Sequence, residues 1–139
     1  MSKKSGEIAA LVKEFGGREL NAHYLGYFSC FNRGLYFEAH DVLEELWLPQ
    51  RAGENGAFYK GLIQLAGAFV HLKKNRLRPA AALFNLAESN LKKFPGTHEH
   101  LEIETVLRLI QLWRGRLETG RFEINPLNAE TAPELRLIS

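Results

Sequence analysis

The chain has 139 residues, enough for one core and too few for two comfortable ones, so the expectation is a single domain over 1–139, with a core at about 6–120 and a tail at 121–139. Hydrophobic residues at 45% and charged residues at 24% are ordinary for a globular protein, which removes compositional support for disorder or a collagen-like chain. A net charge of +2 is too even to argue for nucleic acid or an anionic membrane, and the lone cysteine, Cys30, excludes an intrachain disulfide. It fits a reducing compartment, so the expected location is the cytoplasm.

Apolar residues recur at helical spacing from the start of the chain. Ile8, Leu11, Val12 and Phe15 predict a short helix over 6–15, closed by Gly16 and Gly17. Leu20, Tyr24, Tyr27, Phe28 and Phe31 predict a second over 18–33, with an aromatic inner face. A third, over 36–48, stops at Pro49. The fourth, 57–74, is apolar nearly all round and therefore central. Pro79 opens a fifth that Pro95 and Gly96 end. Thr97 is expected to cap a sixth that runs to Thr119, with His98 and His100 exposed at its start. The last stretch has two prolines and scattered leucines without a period, a loosely structured tail that docks along the bundle. The fold class is all-α, an up-and-down bundle of five to six helices. No stretch reaches the length and apolarity of a membrane span, so no membrane partner is expected.

Chemistry concentrates in the third and fourth helices. In helical projection Leu43, Trp47, His40, Glu44 and Phe37 fall on one arc, while Glu38, Asp41 and Glu45 fall opposite as a solvated face. His40 and Glu44 are four apart and share the apolar side, where a polar pair must be hydrogen-bonded, neutralised or bound to something. The fourth helix has its own polar stripe, Lys60, Gln64 and His71, beside Ala57, Gly61, Gly67 and Ala68, whose small size admits a close neighbour. A short loop then turns His40 and Glu44 toward Gln64 and His71. Asn85 and Glu88 reach only the edge of the next helix's apolar stripe.

The run FNRGLYFEAHDVLEELW, with its H-x-x-x-E-x-x-W core, together with the later FYKGLIQLAGAFVHLKKN, resembles the domain of unknown function 309 family. The resemblance implies a small helical bundle with His40, Glu44, Trp47, Gln64 and His71 at family motif positions, and it implies no activity. Asp41 stands where a glutamate is usual, Lys60 where glutamine is common, and Pro79 where a glycine often precedes Ala80.

Two readings of the cluster follow. In one, His40, Glu44, Trp47, Gln64 and His71 form an interior structural clamp or a small-ligand binding site. In the other, His40, Glu44 and His71 hold a divalent transition metal in a hydrolase-like enzyme, since two histidines and a carboxylate are the ligands of a facial triad. The spacing lacks the H-E-x-x-H arrangement of zinc proteases. No catalytic residue is assigned on this basis, and neither a substrate nor an oligomeric state follows, with homo-oligomerisation left open. Lys73, Lys74, Arg76 and Arg78 crowd one turn and Lys92 and Lys93 another, at opposite ends of a helix; helix dipoles account for most of them, and a nucleic-acid role is not expected. Cys30 is expected to be a buried structural thiol.

Overall fold

Asn21 begins the first described helix. Its side chain accepts the His23 backbone N–H at 2.8 Å and caps α1, Ala22–Asn32. The computed structural model describes residues 20–138, so the helix expected over 6–15 lies outside the described residues. Gly34 ends α1 at φ 75°, a left-handed conformation that suits glycine, and Leu35 N–H returns to Cys30 O at 2.8 Å. The chain is thereby turned directly into α2, Tyr36–Trp47. Pro49 does not follow a clean stop. Instead it sits in a 3-10 turn, Leu48–Gln50, that tightens the end of α2.

The central helix is α3, Gly56–Lys73, where twelve of eighteen residues are buried. Its Phe69 ring, fully buried, meets Phe31 of α1 at 5.5 Å and Tyr36 of α2 at 5.0 Å. It also meets Phe84 of α4 (Leu77–Leu91) at 5.3 Å and Trp113 of α5 (Ile103–Thr119) at 4.9 Å. One side chain thus touches all four other described helices, which is what the all-round apolar pattern of this segment predicts. Helices α2 and α4 flank α3, each antiparallel to it, and α5 closes the bundle against α4.

Thr97 does not cap the last helix. Thr97–His98 (β1) pairs instead with Leu101–Glu102 (β2) in a two-residue antiparallel hairpin, and Glu99 and His100 turn it at φ 49° and 60°. The helix starts five residues later than the threonine signal suggested because local turn chemistry outcompeted the cap. His98 is correspondingly half-buried, not exposed. Its ring packs on Phe58 at 4.7 Å and Phe94 at 4.6 Å, and Nε2 lies 2.7 Å from Asn55 Oδ1.

The tail beyond α5 forms no helix and docks along the bundle. Asn32 carries it as a strand neighbour would: Nδ2 donates to Leu135 O at 2.8 Å while Leu135 N–H donates to Oδ1 at 2.7 Å. Asn125 Nδ2 donates to Leu72 O at 2.6 Å, and Leu135 is buried. Among the described residues no helix is long and apolar enough to cross a membrane.

Candidate functional site

Three contacts set the register of α2 against α3. Lys60 Nζ lies 4.5 Å from the Trp47 ring centroid, a methyl at Gly67 would meet His40 Cδ2 at 3.9 Å, and Tyr36 stacks on Phe69. Rising along α2 therefore means descending along α3. The stripe Lys60, Gln64, Gly67 and His71 runs past the stripe Trp47, Glu44 and His40, as projection anticipates. A methyl at Gly67 would sit in ordinary contact with the imidazole of His40, its tighter neighbour being Leu83 Cδ1 of α4 at 3.2 Å.

The buried face of α2 is rotated relative to expectation. Tyr36, Ala39, Val42 and Leu43 are inside, so His40, Glu44 and Trp47 lie on its shoulder and Phe37, 53% exposed, lies further round. The reason is that α2 packs against α1 and α3 at once, and its buried sector faces between them.

The second correction concerns Asp41, expected in a solvated face and found 5% exposed. His40 Nδ1 stands 3.0 Å from Asp41 Oδ1. Pairing with the imidazole is what makes burial of this carboxylate tolerable. A carboxylate only accepts, so Nδ1 carries the hydrogen and, in the neutral ring, the lone pair sits on Nε2. That nitrogen is 4.0 Å from Glu44 Oε2, and the His40 side chain is 31% exposed. Both ring nitrogens are thus turned to carboxylates of their own helix. The adjacency of His and Asp in sequence was the available signal for Asp41, and helical projection discards it because neighbours project apart.

Gln64 is engaged elsewhere. Its Oε1 accepts from Asn90 Nδ2 of α4 at 2.8 Å, a cross-helix bond that joins α3 to α4. Asn90 was not singled out from the sequence, although Gly61 hinted at it: a methyl there would stand 2.9 Å from Leu91 Cγ and 3.2 Å from Asn90 Cβ, so α4 approaches closely at this point. His71 lies one turn beyond Gly67, about 6 Å along the axis from the level of His40. Its Nδ1 is buried and has no hydrogen-bond partner among the described residues. Burial, reinforced by Arg76 and Lys74, lowers its pKa from 6.5 and favours the neutral ring.

The structure therefore brings His40 and Glu44 together with Trp47 and Lys60 beside them, and gives Gln64 to α4. Among the described residues no group of three or more His, Cys, Asp or Glu side chains is placed to hold a metal ion. The His40, Glu44 and His71 triad is not assembled, since the helical register sets His71 one turn away from the other two.

Other sequence candidates have structural partners. Glu88 and Asn85 bind Arg114 of α5: the guanidinium donates to Glu88 at 3.0 and 3.2 Å and to Asn85 at 2.9 Å. These bonds, first among the causes, lower the Glu88 pKa from 4.5. In the basic turn, Lys73 Nζ donates to Gly34 O at 2.8 Å and Arg78 lies over the Phe122 ring at 4.5 Å. Cys30 is fully buried.

An all-α bundle, five helices among the described residues, with a partly exposed His and two carboxylates on one helix is the class that fold and site define. Residues 24–83 match the family model described as Domain of unknown function (DUF309), and over that span the chain is similar to this family. The span runs from the first turn of α1 into α4 and contains His40, Glu44, Trp47, Gln64 and His71. No curated protein and no solved structure matches the chain.

Proposed function

We propose that this is a small-ligand binding domain whose site is the α2 and α3 face bearing His40, Glu44 and Trp47, with Gln64 serving as the structural clamp and His71 as a neutral wall residue. One observation carries the reading. His40 is oriented by Asp41 through Nδ1, yet among the described residues neither ring nitrogen bonds to another helix, and the side chain reaches solvent beside Gly67. A histidine that only held helices together would spend a nitrogen across the seam, as Gln64 spends its carbonyl on Asn90. With the ring neutral, Nε2 offers an acceptor beside the Glu44 carboxylate, and Trp47 with Lys60 forms a flat, cationic side wall, which suits a planar or aliphatic ligand that donates hydrogen bonds at one end. The metal-dependent hydrolase reading has no third ligand among the described residues and receives no comparable support.

Melting curves of the parent, His40→Gln and Glu44→Gln test the proposal against a panel of small amines, polyols and nucleosides, with and without a chelator. The expected result is a compound that raises the parent's melting temperature and leaves both variants unmoved, the ligand-free melts of all three agreeing to within about 1 kcal/mol. If His40→Gln alone costs about 3 kcal/mol and no compound stabilises the parent, His40 is a clamp. If chelator destabilises the parent and not the variants, the metal reading returns.

A further inference from the structure

Helix pairing leaves the bundle open on one side. Among the described residues α1 packs mainly on α2 and α5 mainly on α4, and the two are joined chiefly through the Phe69 ring of α3. The tail bridges that gap as an extended segment. Asn125 meets the end of α3 at Leu72 O, Leu135 meets the end of α1 at Asn32, and Ile138 meets the hairpin that leads into α5. There the Ile138 N–H donates to His100 O at 2.7 Å, and its carbonyl accepts from His100 Nδ1 at 3.0 Å. At both anchors the bundle reads backbone, and the Asn32 carboxamide is matched to the N–H and C=O of one residue. Among the described tail residues Leu135 alone is buried. Between the anchors the segment holds itself together: Asn128 Oδ1 accepts from Glu130 and Thr131 N–H at 2.8 and 3.1 Å, and Thr131 Oγ1 donates to Pro126 O at 2.7 Å. The tail is a preformed unit whose partners, Asn32, Leu72 and His100, are all distant from it in sequence.

The joint between α5 and the tail supplies the second observation. Arg121 and Phe122 follow one another in the left-handed region, at φ 56° and 58°, a conformation that L side chains avoid and glycine takes freely. The glycine stands one position earlier, at Gly120, where φ is −80°. Three turn bonds hold the reversal: Arg121 N–H to Glu118 O and Phe122 N–H to Leu117 O, both 2.9 Å, and Glu123 N–H to Gly120 O at 3.0 Å. If both residues turn right-handed, α5 runs on. The same three N–H groups then meet the carbonyls of Leu117, Glu118 and Thr119 as ordinary helical partners, and the strain is released. The contacts given up are those of Phe122, whose ring is partly buried and lies under Arg78. With the joint extended the tail leaves its seat, and both the apolar Leu135 side chain and the Asn32 carboxamide lose their partners. The same tail on a second copy restores every one of them.

We infer that two copies of this chain exchange tails, each α5 continuing through Arg121 and Phe122 and each Leu135 entering the seat beside Asn32 of the other copy. Sedimentation of the full chain, refolded from urea at high concentration and at about hundredfold lower, tests it; a dimer that dissociates on dilution is expected. Arg121→Gly removes strain from the closed joint and disfavours a continued helix, so its dimer is expected to be at least about tenfold weaker than the parent's. Asn32→Leu damages the seat and Leu135→Asp the tail. Each variant alone is expected to stay monomeric, whereas the two refolded together form a mixed dimer in which one intact tail occupies one intact seat, read by native mass spectrometry. The inference is overturned if the parent is monomeric at both concentrations, if Arg121→Gly dimerises as tightly as the parent, or if the two folded variants form no mixed dimer. Where either of those two variants fails to fold, the comparison of the parent with Arg121→Gly decides alone.

Discussion

The two sides of α3 solve the same packing problem differently. Toward α4, Gly61 admits Leu91 and Asn90, and the polar groups at the seam pair across it, Gln64 with Asn90. Toward α2, Gly67 admits the His40 ring, but the polar groups pair along one helix, His40 with Asp41 and then Glu44. A seam whose polar atoms bond each other is closed, and its hydrogen bonds contribute to stability. A seam whose polar atoms pair within one helix leaves other donors and acceptors facing outward, and that is where we propose a ligand binds. The contrast separates a clamp from a site inside one polar stripe.

The largest expected effect comes from filling the closed seam. Gly61→Ala places a methyl 2.9 Å from Leu91 Cγ, an atom with little room to retreat because Leu91 is fully buried. Overpacking of this kind costs about 1–3 kcal/mol, only partly offset by the roughly 0.5–1 kcal/mol that alanine gains over glycine in a helix. Gly67→Ala meets the tip of Leu83, also on α4, at 3.2 Å and His40 at an ordinary 3.9 Å, and should stay within about 1 kcal/mol of the parent in a denaturant melt. The reverse ordering of the two variants would show that α4 does not approach α3 most tightly at Gly61.

Next in size is the pairing itself. Gln64→Leu and Asn90→Leu are each expected to cost about 1 kcal/mol, with a double-mutant coupling of at least about 0.5 kcal/mol. Coupling between Gln64→Leu and His40→Gln should lie inside the roughly 0.3–0.5 kcal/mol scatter of independent sites. A strong His40 to Gln64 coupling would make the open face part of the clamp.

Two pH effects are smaller. Arg114 lowers the folded pKa of Glu88, so in acid the unfolded chain binds this proton first and stability falls as pH drops below about 4.5 toward the folded value. Arg114→Met should flatten that acid limb in urea melts taken across the range, and an unchanged limb would show that the bridge contributes nothing. His71 has the same sign at higher pH. Its lowered folded pKa means that stability is intact above about 6.5 and declines as pH falls from there through the folded value. His71→Gln should remove that slope, and its persistence in the variant would assign it to another group.

The number and approximate bounds of the described helices were legible in the sequence, because a 3.6-residue apolar period, the glycine after α1, the proline in the first turn of α4 and the one after it act within a few residues of where they stand. So was the antiparallel pairing of α2 with α3 that sets Lys60 over Trp47 and Gly67 beside His40, since a short loop between two helices leaves little choice of geometry. What projection could not supply is which neighbour each polar group takes. Asp41 is buried because it pairs with an adjacent histidine, Gln64 turns to an asparagine on α4, His98 is packed between Phe58 and Phe94, and Asn32 holds the tail at Leu135. Periodicity reports how apolar a face is, averaged over everything that covers it. Hydrogen bonds are made one pair at a time between residues distant in the chain, so only the packed bundle decides them.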